Sequence, residues 1–450
     1  MSITDKIAAA GVVGCGGAGF PTHAKLKGTF EHLIINGAEC EPLLRTDRYI
    51  MLNKADELVR ALCAITKELN IPHCTIALKA DYRDEIASLE QAIAKAGADI
   101  AIHQMESFYP AGDEQTIVYE VTGRVVPPAG IPGMVGCVVD NIATILAVND
   151  AMDGTALTQK YLTVTGEVHH PVVLRVPVGT SFTRCIELAG GALHSDYFVV
   201  SGGPMMGKPL TKEQAEQEVV TKTTSGILIL PAEGYHATQE RISIRHMLNR
   251  AKSACIQCTA CSQLCPRHML GHPIEPHRIM RKMAMANEIG EDLNDPIIRN
   301  AALCCECGVC EAYACPMGLQ PRKINSLLKK ELGAAGIRYA RPDGAVYEAD
   351  PQRDSRKVPS KRLAARVEVL PYYHYTIRDL VEDQPDHVRI PLKMHIGAPS
   401  VPVVAVGDRV TAGQLIASFP NGTLGSNIHA SISGRIVSIS DTTIEISSAL

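Results

Sequence analysis

The sequence contains no tryptophan and only 6 phenylalanines among its 450 residues. Proteins that hold single-stranded nucleic acid usually stack bases on aromatic side chains, so this scarcity argues against such a role. The net charge of −4 also predicts no general attraction to nucleic acid or to acidic membranes. No run of 18 apolar residues occurs, and residues 1–10 lack the apolar core of a secretory signal. We therefore expect a cytoplasmic protein with no membrane span and no nucleic-acid partner.

Cysteine, in contrast, is abundant, with 15 residues. In a reducing compartment, clustered cysteines indicate metal ligands more often than disulfides. Eight of the cysteines form two tight groups, which carry the chemical argument below. For the others the usual role is that of a small buried hydrophobic side chain; they are Cys15, Cys40, Cys63, Cys74, Cys137, Cys185 and Cys305.

The two cysteine groups have the spacing of iron–sulfur ligands. The first is Cys255-x-x-Cys258-x-x-Cys261-x-x-x-Cys265-Pro266, and the second is Cys304-x-x-Cys307-x-x-Cys310 followed by Cys315-Pro316. In such a loop three thiolates surround one cubane, while the fourth, carried away on the next turn, reaches the other cluster. We therefore predict two [4Fe–4S] clusters with crossed ligands. One set is Cys255, Cys258, Cys261 and Cys315, and the other is Cys304, Cys307, Cys310 and Cys265.

Two features of these groups leave alternatives open. A pair of structural zinc sites is the competing interpretation, but zinc ribbons usually supply two cysteines per knuckle and not four that end in Cys-Pro. Cys305 could replace Cys304 as a ligand, although the standard two-residue gap before Cys307 favours Cys304. Four residues, where three are usual, separate Cys310 from Cys315. This extra residue predicts an altered turn.

The remaining sequence predicts a multidomain α/β protein. Up to residue 150, β-rich runs at residues 32–35, 74–78 and 99–103 alternate with helical stretches at 47–69 and 83–96, which indicates a mostly parallel sheet. Residues 121–139 are rich in Gly and Pro and predict a long ordered loop over a site. A small β-rich module follows, and then the helical region that carries the cysteines. After a basic, Pro-containing stretch, short Val and Ile strands between Gly turns predict a compact β domain.

A glycine-rich loop, Gly14-Cys15-Gly16-Gly17-Ala18-Gly19, satisfies the pattern G-x-G-x-x-G. The ordinary dinucleotide fingerprint follows a strand and opens a helix, whereas here a helical segment precedes the loop and Phe20-Pro21 follows it. An ordinary Rossmann site is therefore disfavoured. The glycines still allow the backbone to approach a phosphate closely, and Lys25 could neutralise its charge.

At this loop the sequence resembles a known family. Residues 14–25, GCGGAGFPTHAK, are similar to the flavin loop of the NADH-oxidising flavoprotein subunit of respiratory complex I and of the C subunit of the Rnf electron-transport complex. Three further segments resemble that family's later motifs in the same order: Asn36-Gly37-Ala38-Glu39-Cys40-Glu41-Pro42, Tyr109-Pro110-Ala111-Gly112-Asp113-Glu114 and Asp140-Asn141-Ile142-Ala143-Thr144.

The resemblance implies a Rossmann-like domain with non-covalently bound FMN and with NADH as the electron donor. By position, the implied FMN residues are Gly14, Gly16, Gly17, Lys25, Asn36, Glu39, Tyr109, Gly112, Asp113, Glu114, Asn141 and Thr144. Phe20 and Glu41 match the places where the family stacks and holds nicotinamide. The second aromatic residue that the complex I subunit uses for NADH has no counterpart at residues 27 and 28. Taken singly, Asn36 and Asn141 could instead cap turns, and Asp113 and Glu114 could be solvated acids.

The resemblance extends along the whole chain. It implies an FMN and NADH domain (residues 1–155), a soluble-ligand-binding β-grasp (SLBB) module (156–235), a helical ferredoxin-like two-cluster domain (236–335), a linker (336–385) and a barrel-sandwich domain (386–450). The Rnf subunits carry the barrel-sandwich domain ahead of the flavin loop, whereas here it comes last. The lysine that would hold biotin or lipoate is absent, which argues against a carrier role. His395 and His429 are either structural or ligands of a metal or a corrin cobalt.

In this domain order the chain is similar to the cobalamin reductases of bacterial propanediol-utilisation microcompartments. That resemblance implies an oxidoreductase that passes electrons from NADH through FMN and the clusters to cob(III)alamin and cob(II)alamin. It also implies an adenosyltransferase and shell proteins as partners, inside a microcompartment. Two alternatives remain: a peripheral electron-input subunit of an Rnf-like ion-pumping complex, and a non-catalytic adaptor that binds no nicotinamide.

Overall fold

The computed structural model describes residues 1–449 and begins with a domain built on a parallel sheet. Its strands are β1 (His32–Asn36), β2 (His73–Lys79), β3 (Ala101–Met105), the short β4 (Phe108–Tyr109) outside this sheet, and β5 (Cys137–Asn141). The sheet order is β3-β2-β1-β5, with every neighbouring pair parallel. The middle of β1 is apolar and fully buried, as expected for a strand that is covered on both faces.

Helices cover both faces of this sheet. They are α1 (Ile3–Ala9), α2 (Thr22–Lys25), α3 (Thr46–Asn53), α4 (Ala55–Leu69), α5 (Arg83–Ala96), α6 (Glu114–Thr122) and α7 (Ile142–Met152). The predicted helix over residues 47–69 is in fact two helices, which break at Lys54. The predicted loop over residues 121–139 ends in β5, because its last residues pair with β1. Left-handed Asn70 and Gly97 end α4 and α5, as such residues commonly do.

The β-grasp module follows the flavin-type domain. Its elements are β6 (Gln159–Gly166), β7 (Val172–Pro177), α8 (Phe182–Leu188), β8 (Tyr197–Ser201), β9 (Lys208–Thr211), α9 (Lys212–Ala215) and β10 (Gly226–Pro231). Strand β10 lies between β6 and β8 and is parallel to β6. The apolar faces of these strands pack on α8, where Phe182 and Cys185 are buried.

The cysteine region is helical, as predicted. Its helices are α10 (Tyr235–Glu240), α11 (Ile244–Ala254), α12 (Ala260–Gln263), α13 (Pro266–Met269), α14 (Pro276–Met283), α15 (Pro296–Arg299) and α16 (Pro321–Ala334). Prolines at the first turn of α13, α14, α15 and α16 start these helices without the loss of a hydrogen bond. Among residues 1–449, no helix has both the length and the apolar character needed to cross a bilayer.

The segment expected to be a linker is packed against other domains. It contains β11 (Val358–Pro359), α17 (Ser360–Arg366), α18 (Leu370–Tyr373) and β12 (Leu380–Glu382). β11 pairs with β4, and β12 adds an edge strand to the β-grasp sheet. Val358, Leu363 and Val367 are buried in an apolar cluster that also contains residues of the three preceding domains. Its basic composition suggested exposure, whereas several of its apolar residues pack into this shared cluster.

The last domain consists of two small antiparallel sheets. Their strands are β13 (His387–Pro391), β14 (Val401–Pro402), β15 (Arg409–Val410), β16 (Leu415–Ser418), β17 (Ile428–His429), β18 (Gly434–Ile439) and β19 (Thr443–Ser447). The sheet orders are β13-β19-β18-β15 and β14-β16-β17. Buried Ile and Val side chains of both sheets form its core, as in a β-sandwich.

Candidate functional site

A large cleft opens where the strand order of the parallel sheet reverses. The chain runs outward from β1 to β2 and β3 on one side and reaches β5 on the other. Asn36 and Asn141 end β1 and β5, and they are direct neighbours across the two strands. Ligands of open α/β sheets bind at such a switch point, beyond the carboxyl ends of the strands. The topology therefore places the binding site beside these two residues.

The glycine loop forms one side of this cleft. The Gly14 amide donates to the Phe20 carbonyl at 2.9 Å, which closes the loop at its base. The Cys15 amide donates to Thr144 Oγ1, and Lys160 Nζ donates to the Cys15 carbonyl, both at 2.9 Å. A Cβ on Gly16 would lie 2.7 Å from the Asn141 side chain, whereas one on Gly17 would meet no atom within 4 Å. The loop is thus pinned at its base and open at its tip.

The cleft has a volume of about 680 Å³, which is in the usual range for cofactor sites. Ten of the 14 residues that the resemblance implied for FMN and nicotinamide line it; they are Gly14, Gly16, Gly17, Phe20, Lys25, Asn36, Gly112, Glu114, Asn141 and Thr144. Asp140 also lines it, and its buried Oδ2 has no hydrogen-bond partner. A flavin nucleotide carries the hydroxyl donors that such an oxygen requires, so the residues present fit FMN.

Charge in the cleft centres on Lys25. Its ammonium lies 2.9 Å from Glu114 and 3.8 Å from Asp140. Burial alone would lower the pKa of Lys25, but the two carboxylates raise it, so the lysine stays charged. Burial raises the pKa of Asp140 to about 6, against the opposing effect of Lys25. The lysine is therefore held in place by two acids, one of them titrating close to neutral pH.

Asn36 and Asn141 both cap a turn and line the cleft. Asn36 Nδ2 donates to the Gly112 carbonyl at 2.9 Å, and its Oδ1 accepts from the Ala38 amide. Asn141 Oδ1 accepts from the Ala143 amide at the start of α7, and its Nδ2 donates to Asp47. Each side-chain amide donates one hydrogen bond and accepts one within the protein. Their role at the cleft is to fix its walls.

Two glutamates that were expected at the cofactor lie outside the cleft lining. Glu39 accepts from the Asp47 and Arg48 amides and so caps α3. Glu41 accepts from the Met205 and Met206 amides of the β-grasp module at 2.8 and 3.0 Å. Burial raises the pKa of each carboxyl to about 7. The second motif therefore joins the flavin-type domain to its neighbours as well as lining the cleft through Asn36.

Tyr109 and Asp113, also expected at the cofactor, connect to the cysteine region instead. The buried Tyr109 hydroxyl donates to the Cys307 carbonyl at 2.8 Å. Asp113 caps α6 through the Thr116 amide, and its other oxygen pairs with Arg267 at 2.9 Å. Tyr109 lies three positions before the cleft residue Gly112, and Asp113 lies between Gly112 and Glu114. The third motif therefore contacts the cleft, the second cysteine loop and helix α13, which follows the first cysteine loop.

Several lining residues were not indicated by the sequence, among them Phe30, Asp140 and Ile396. Phe30 lies beside Gly28, two residues beyond the position at which the resemblance places a second aromatic residue. Asp140 ends a parallel strand immediately before Asn141, a position that could have been recognised as a site residue. Ile396 reaches the cleft from the last domain, and no sequence signal pointed to it.

The two predicted cysteine sets each line a cavity. Cys255, Cys258, Cys261 and Cys315 line one cavity, and Cys265, Cys304, Cys305, Cys307 and Cys310 line the other. The loops are thus crossed in space, since the fourth cysteine of each lies with the first three of the other. Among residues 1–449, no three His, Cys, Asp or Glu side chains converge closely enough to hold one metal ion. The sulfurs surround a space, which is the donor arrangement that a cubane requires.

The backbone bears on whether Cys304 or Cys305 begins the second set. In the first loop, left-handed residues occur two and four positions after Cys255, at Gln257 and Thr259. In the second loop they are Glu306 and Gly308, which are two and four positions after Cys304. The Glu306 amide also donates to Cys304 Sγ at 3.4 Å. The two loops superpose in register only when Cys304 is the counterpart of Cys255.

The extra residue before Cys315 is absorbed by a wider turn. Residues Cys310–Ala314 form one turn of π-helix, whereas the corresponding part of the first loop is the α-helix α12. A π turn accommodates one more residue than an α turn, and such turns are often found at functional sites. The altered turn expected from the sequence is therefore present, and it returns Cys315 to the first cavity.

The remaining histidine and cysteine candidates have structural surroundings. His395 and His429 are buried, and His395 Nε2 lies 3.0 Å from the Ala398 carbonyl and 3.2 Å from the Ser426 amide nitrogen. Burial lowers the pKa of both imidazoles. Of the cysteines outside the two sets, Cys15, Cys74, Cys137 and Cys185 are buried, and Cys40, Cys63 and Cys305 are partly buried.

Comparison with known domain families agrees with this architecture. The chain matches the Nuo51 FMN-binding domain over residues 7–150 and the SLBB domain over 161–209. It also matches the 4Fe-4S dicluster domain over residues 254–320 and the RnfC barrel sandwich hybrid domain over 375–450. These matches confirm the predicted fold class. They also show that the chain is an FMN-binding, iron–sulfur electron-transport protein.

The chain is also similar to curated proteins along its full length. It is 40% identical to the cobalamin reductase PduS of Salmonella typhimurium, over 99% of this chain and 96% of that protein. It is 37% identical to PduS of Citrobacter freundii over the same shares of the two chains. The C subunit of the proton-translocating ferredoxin:NAD(+) oxidoreductase complex of Clostridium ljungdahlii is 33% identical over 58% of this chain and 54% of its own length. This chain belongs to the cobalamin reductase PduS family.

Proposed function

We propose that this protein is an NADH-dependent flavin and iron–sulfur reductase that passes electrons from NADH, by way of FMN and two [4Fe–4S] clusters, to cob(III)alamin and cob(II)alamin. One observation carries the proposal. A flavin-type cleft and two cysteine-lined cavities with crossed ligand sets occur in one chain. The third flavin motif contacts the second cysteine loop through Tyr109 and helix α13, next to Cys265, through Asp113. Bound FMN would accept a hydride from NADH and release its two electrons singly to one-electron clusters.

The residues of the cleft would bind and orient FMN. The backbone at Gly17, where a Cβ would meet no atom within 4 Å, can approach a phosphate closely, as glycine-rich loops do. Asp140 Oδ2 is free to accept from a hydroxyl group, and Lys25 lies between it and Glu114. Asn36, Asn141 and Thr144 would keep these groups in position through their bonds to Gly112, Asp47 and Cys15.

Nicotinamide would lie against aromatic side chains at the mouth of the cleft. Phe20 lines the cleft and is 37% exposed, and Phe30 lines it from beyond Gly28. Two such rings offer the stacking surface that a planar heterocycle requires. Glu41, which the resemblance placed at nicotinamide, is committed to the Met205 and Met206 amides. We therefore assign dinucleotide binding to Phe20 and Phe30 and not to Glu41.

The corrinoid would be reduced beside the first cysteine loop. Cys258 is exposed, and its neighbour Ile256 is 62% exposed, so this loop is accessible to another molecule. The full-length similarity to PduS proteins supports cobalamin as the substrate. We further propose that the protein works inside a bacterial microcompartment with an adenosyltransferase and shell proteins, so that adenosylcobalamin is recycled during propanediol degradation.

An anaerobic preparation tests the proposal directly. Iron, sulfide and flavin should be present at about eight, eight and one per chain. Addition of NADH should bleach the flavin absorbance, and cob(III)alamin should then restore it. Flavin that NADH never reduces would contradict the reductase and favour the adaptor. Fractionation with membranes in place of shell proteins would favour the Rnf-like alternative.

Charge reversal at Lys25 tests the FMN assignment. Lys25→Glu places a third carboxylate beside Glu114 and Asp140, so the cleft should repel the FMN phosphate and the protein should be purified without flavin. Lys67→Glu, on the exposed surface of α4, is the matched control and should keep its flavin. FMN at the wild-type stoichiometry in Lys25→Glu would show that the flavin binds elsewhere.

A further inference from the structure

The last domain of the chain lies directly against the start of the glycine loop. Lys222 Nζ, which is 1% exposed, donates to the carbonyls of Gly11 and Asn427, each at 2.6 Å. Ser426 Oγ donates to the same Gly11 carbonyl at 3.0 Å. The backbone that enters the loop is therefore bonded to the last domain through a buried lysine and a serine.

The close approach at Gly11 requires glycine. Its φ is +67°, and a Cβ there would lie 2.2 Å from the Asn427 carbonyl oxygen. Asn427 Nδ2 also donates to the Ala8 carbonyl at the end of α1. This contact is between two backbone segments, so it fixes position more tightly than a contact between flexible side chains.

A second contact holds the other end of the glycine loop. The Ile396 amide donates to the Gly19 carbonyl at 3.1 Å. Gly19 has a φ of +72°, and a Cβ there would lie 3.0 Å from the Met394 carbonyl oxygen. The segment from Gly11 to Gly19, which contains the glycine loop, is thus bonded to the last domain at both ends, while Gly16 and Gly17 within it line the cleft.

Ile396 also forms part of the cleft itself. Among residues 386–449 it alone lines the cleft, and 42% of it is exposed. It lies next to Gly19 and hence to the Phe20 side of the opening. An apolar side chain left this exposed at the mouth of a cofactor cleft gains stability when an occupant covers it.

We propose that the C-terminal barrel-sandwich domain forms part of the flavin site. It holds both ends of the segment from Gly11 to Gly19, which contains the glycine loop, and it supplies Ile396 as an apolar wall against bound FMN. The proposal rests on the binding of FMN proposed above. It assigns a role to a domain that lies at the opposite end of the sequence from the loop that it holds. It requires that damage to this domain weaken FMN binding while the clusters stay intact.

The test measures FMN binding and flavin accessibility in the full-length protein. Ile396→Ala should raise the FMN dissociation constant about fivefold, because apolar contact with the cofactor is lost. It should also increase the quenching of flavin fluorescence by iodide. Leu415→Ala is the matched control, since it removes the same number of side-chain carbon atoms. Leu415 is exposed in the same domain and does not line the cleft. Its affinity and quenching should equal those of the wild type, and iron content should be unchanged in both variants.

A second variant tests the hold on the Gly11–Gly19 segment separately from the apolar contact that Ile396 makes. Gly19→Ala forces a Cβ against Met394 in a backbone conformation that alanine rarely adopts, so we expect an FMN dissociation constant raised more than tenfold with iron content retained. Equal FMN binding by Ile396→Ala, Gly19→Ala and Leu415→Ala would overturn the inference and leave the proposed function standing. A wild-type protein that binds no FMN would instead overturn the proposed function, and the inference with it.

Discussion

The first cysteine loop, residues 255–265, lies at the protein surface, whereas the second, residues 304–315, is enclosed by other parts of the chain. Cys258 is exposed, whereas Cys307 and Cys310 are buried. Cys307 packs in an apolar cluster with residues of the flavin-type domain and of the segment after the cluster region. The two loops nevertheless share one pattern of left-handed residues. Similar sequence motifs thus form similar ligand loops, and the surrounding packing decides which loop lies against the flavin-type domain and which faces solvent.

The largest effect, a loss of bound iron, should come from replacing one of the two neighbouring cysteines of the second loop, Cys304 and Cys305, but not the other. Cys304→Ser should lower the iron content from about eight to about four atoms per chain, because one cubane loses a ligand while the other keeps its own set. Cys305→Ser should keep all of its iron, since Cys305 is out of register with the first loop. Iron and labile sulfide assays, with electron paramagnetic resonance of the reduced protein, measure both.

The opposite result would change the ligand assignment. Iron loss in Cys305→Ser, with full iron in Cys304→Ser, would mean that the second loop binds its cluster in a shifted register. Cys258→Ser serves as the reference in the exposed loop, and it should also lose about half of the iron. If it lost all of the iron, the clusters would depend on each other and the two loops could not be compared as separate units.

A smaller effect should distinguish the ion pairs beside the two cysteine cavities. Arg267 follows Cys265, which lines the second cavity. The pair between Arg267 and Asp113 is buried, with side chains 12% and 14% exposed, whereas Arg278 and Glu275 beside the first loop are 51% and 30% exposed. Arg267→Met leaves the Asp113 charge buried and unpaired, so it should reduce the free energy of unfolding by about 3 kcal/mol. Arg278→Met should change it by less than about 0.5 kcal/mol. Denaturant unfolding of the anaerobic protein measures both changes.

A double variant is the control for this ion pair. Asp113→Asn can still cap α6, so adding it to Arg267→Met should recover part of the lost stability by removing the unpaired charge. No recovery in the double variant would show that Arg267 stabilises the interface through packing alone.

The smallest expected effect is a difference in pH dependence. Burial raises the pKa of Glu41, beside the second loop, to about 7, and the Met205 and Met206 amides oppose this shift only in part. The folded state therefore keeps a proton on Glu41 that the unfolded state has lost. The stabilisation of the folded state by this difference is complete below about pH 4.5 and is lost as the pH rises through 7. Between pH 6 and 8 the wild type should lose about 1.4 kcal/mol relative to Glu41→Gln.

The first loop should show the opposite sign. Burial lowers the pKa of His277, which lines the first cavity, so its contribution to stability is lost as the pH falls. The free energies of unfolding of the wild type, Glu41→Gln and His277→Gln across this pH range measure the contributions of Glu41 and His277. Parallel curves for the wild type and Glu41→Gln would show that Glu41 does not titrate in the folded protein.

Much of this architecture could be predicted from the sequence because its signals are local. Helix α5 was predicted with its observed bounds, since its periodic pattern lies within the element. The crossed cysteine sets followed from spacing alone. Glu41 and Tyr109 could not be placed in the same way, because their hydrogen-bond partners are 164 and 198 residues away. Sequence similarity marked them as site residues without showing which part of the site they contact.

The amino-acid sequence alone determined the ligand loops, the glycine loop and the positions of the strands, because each depends mainly on residues that are close along the chain. Only the tertiary structure decided which cysteine loop lies against the flavin-type domain and that segment 336–385 is packed. The tertiary structure alone also decided that the last domain contacts the glycine loop near the start of the chain. Those arrangements depend on burial and backbone contacts between distant segments, as at Gly11 and Asn427, and such contacts leave no periodic pattern in either segment.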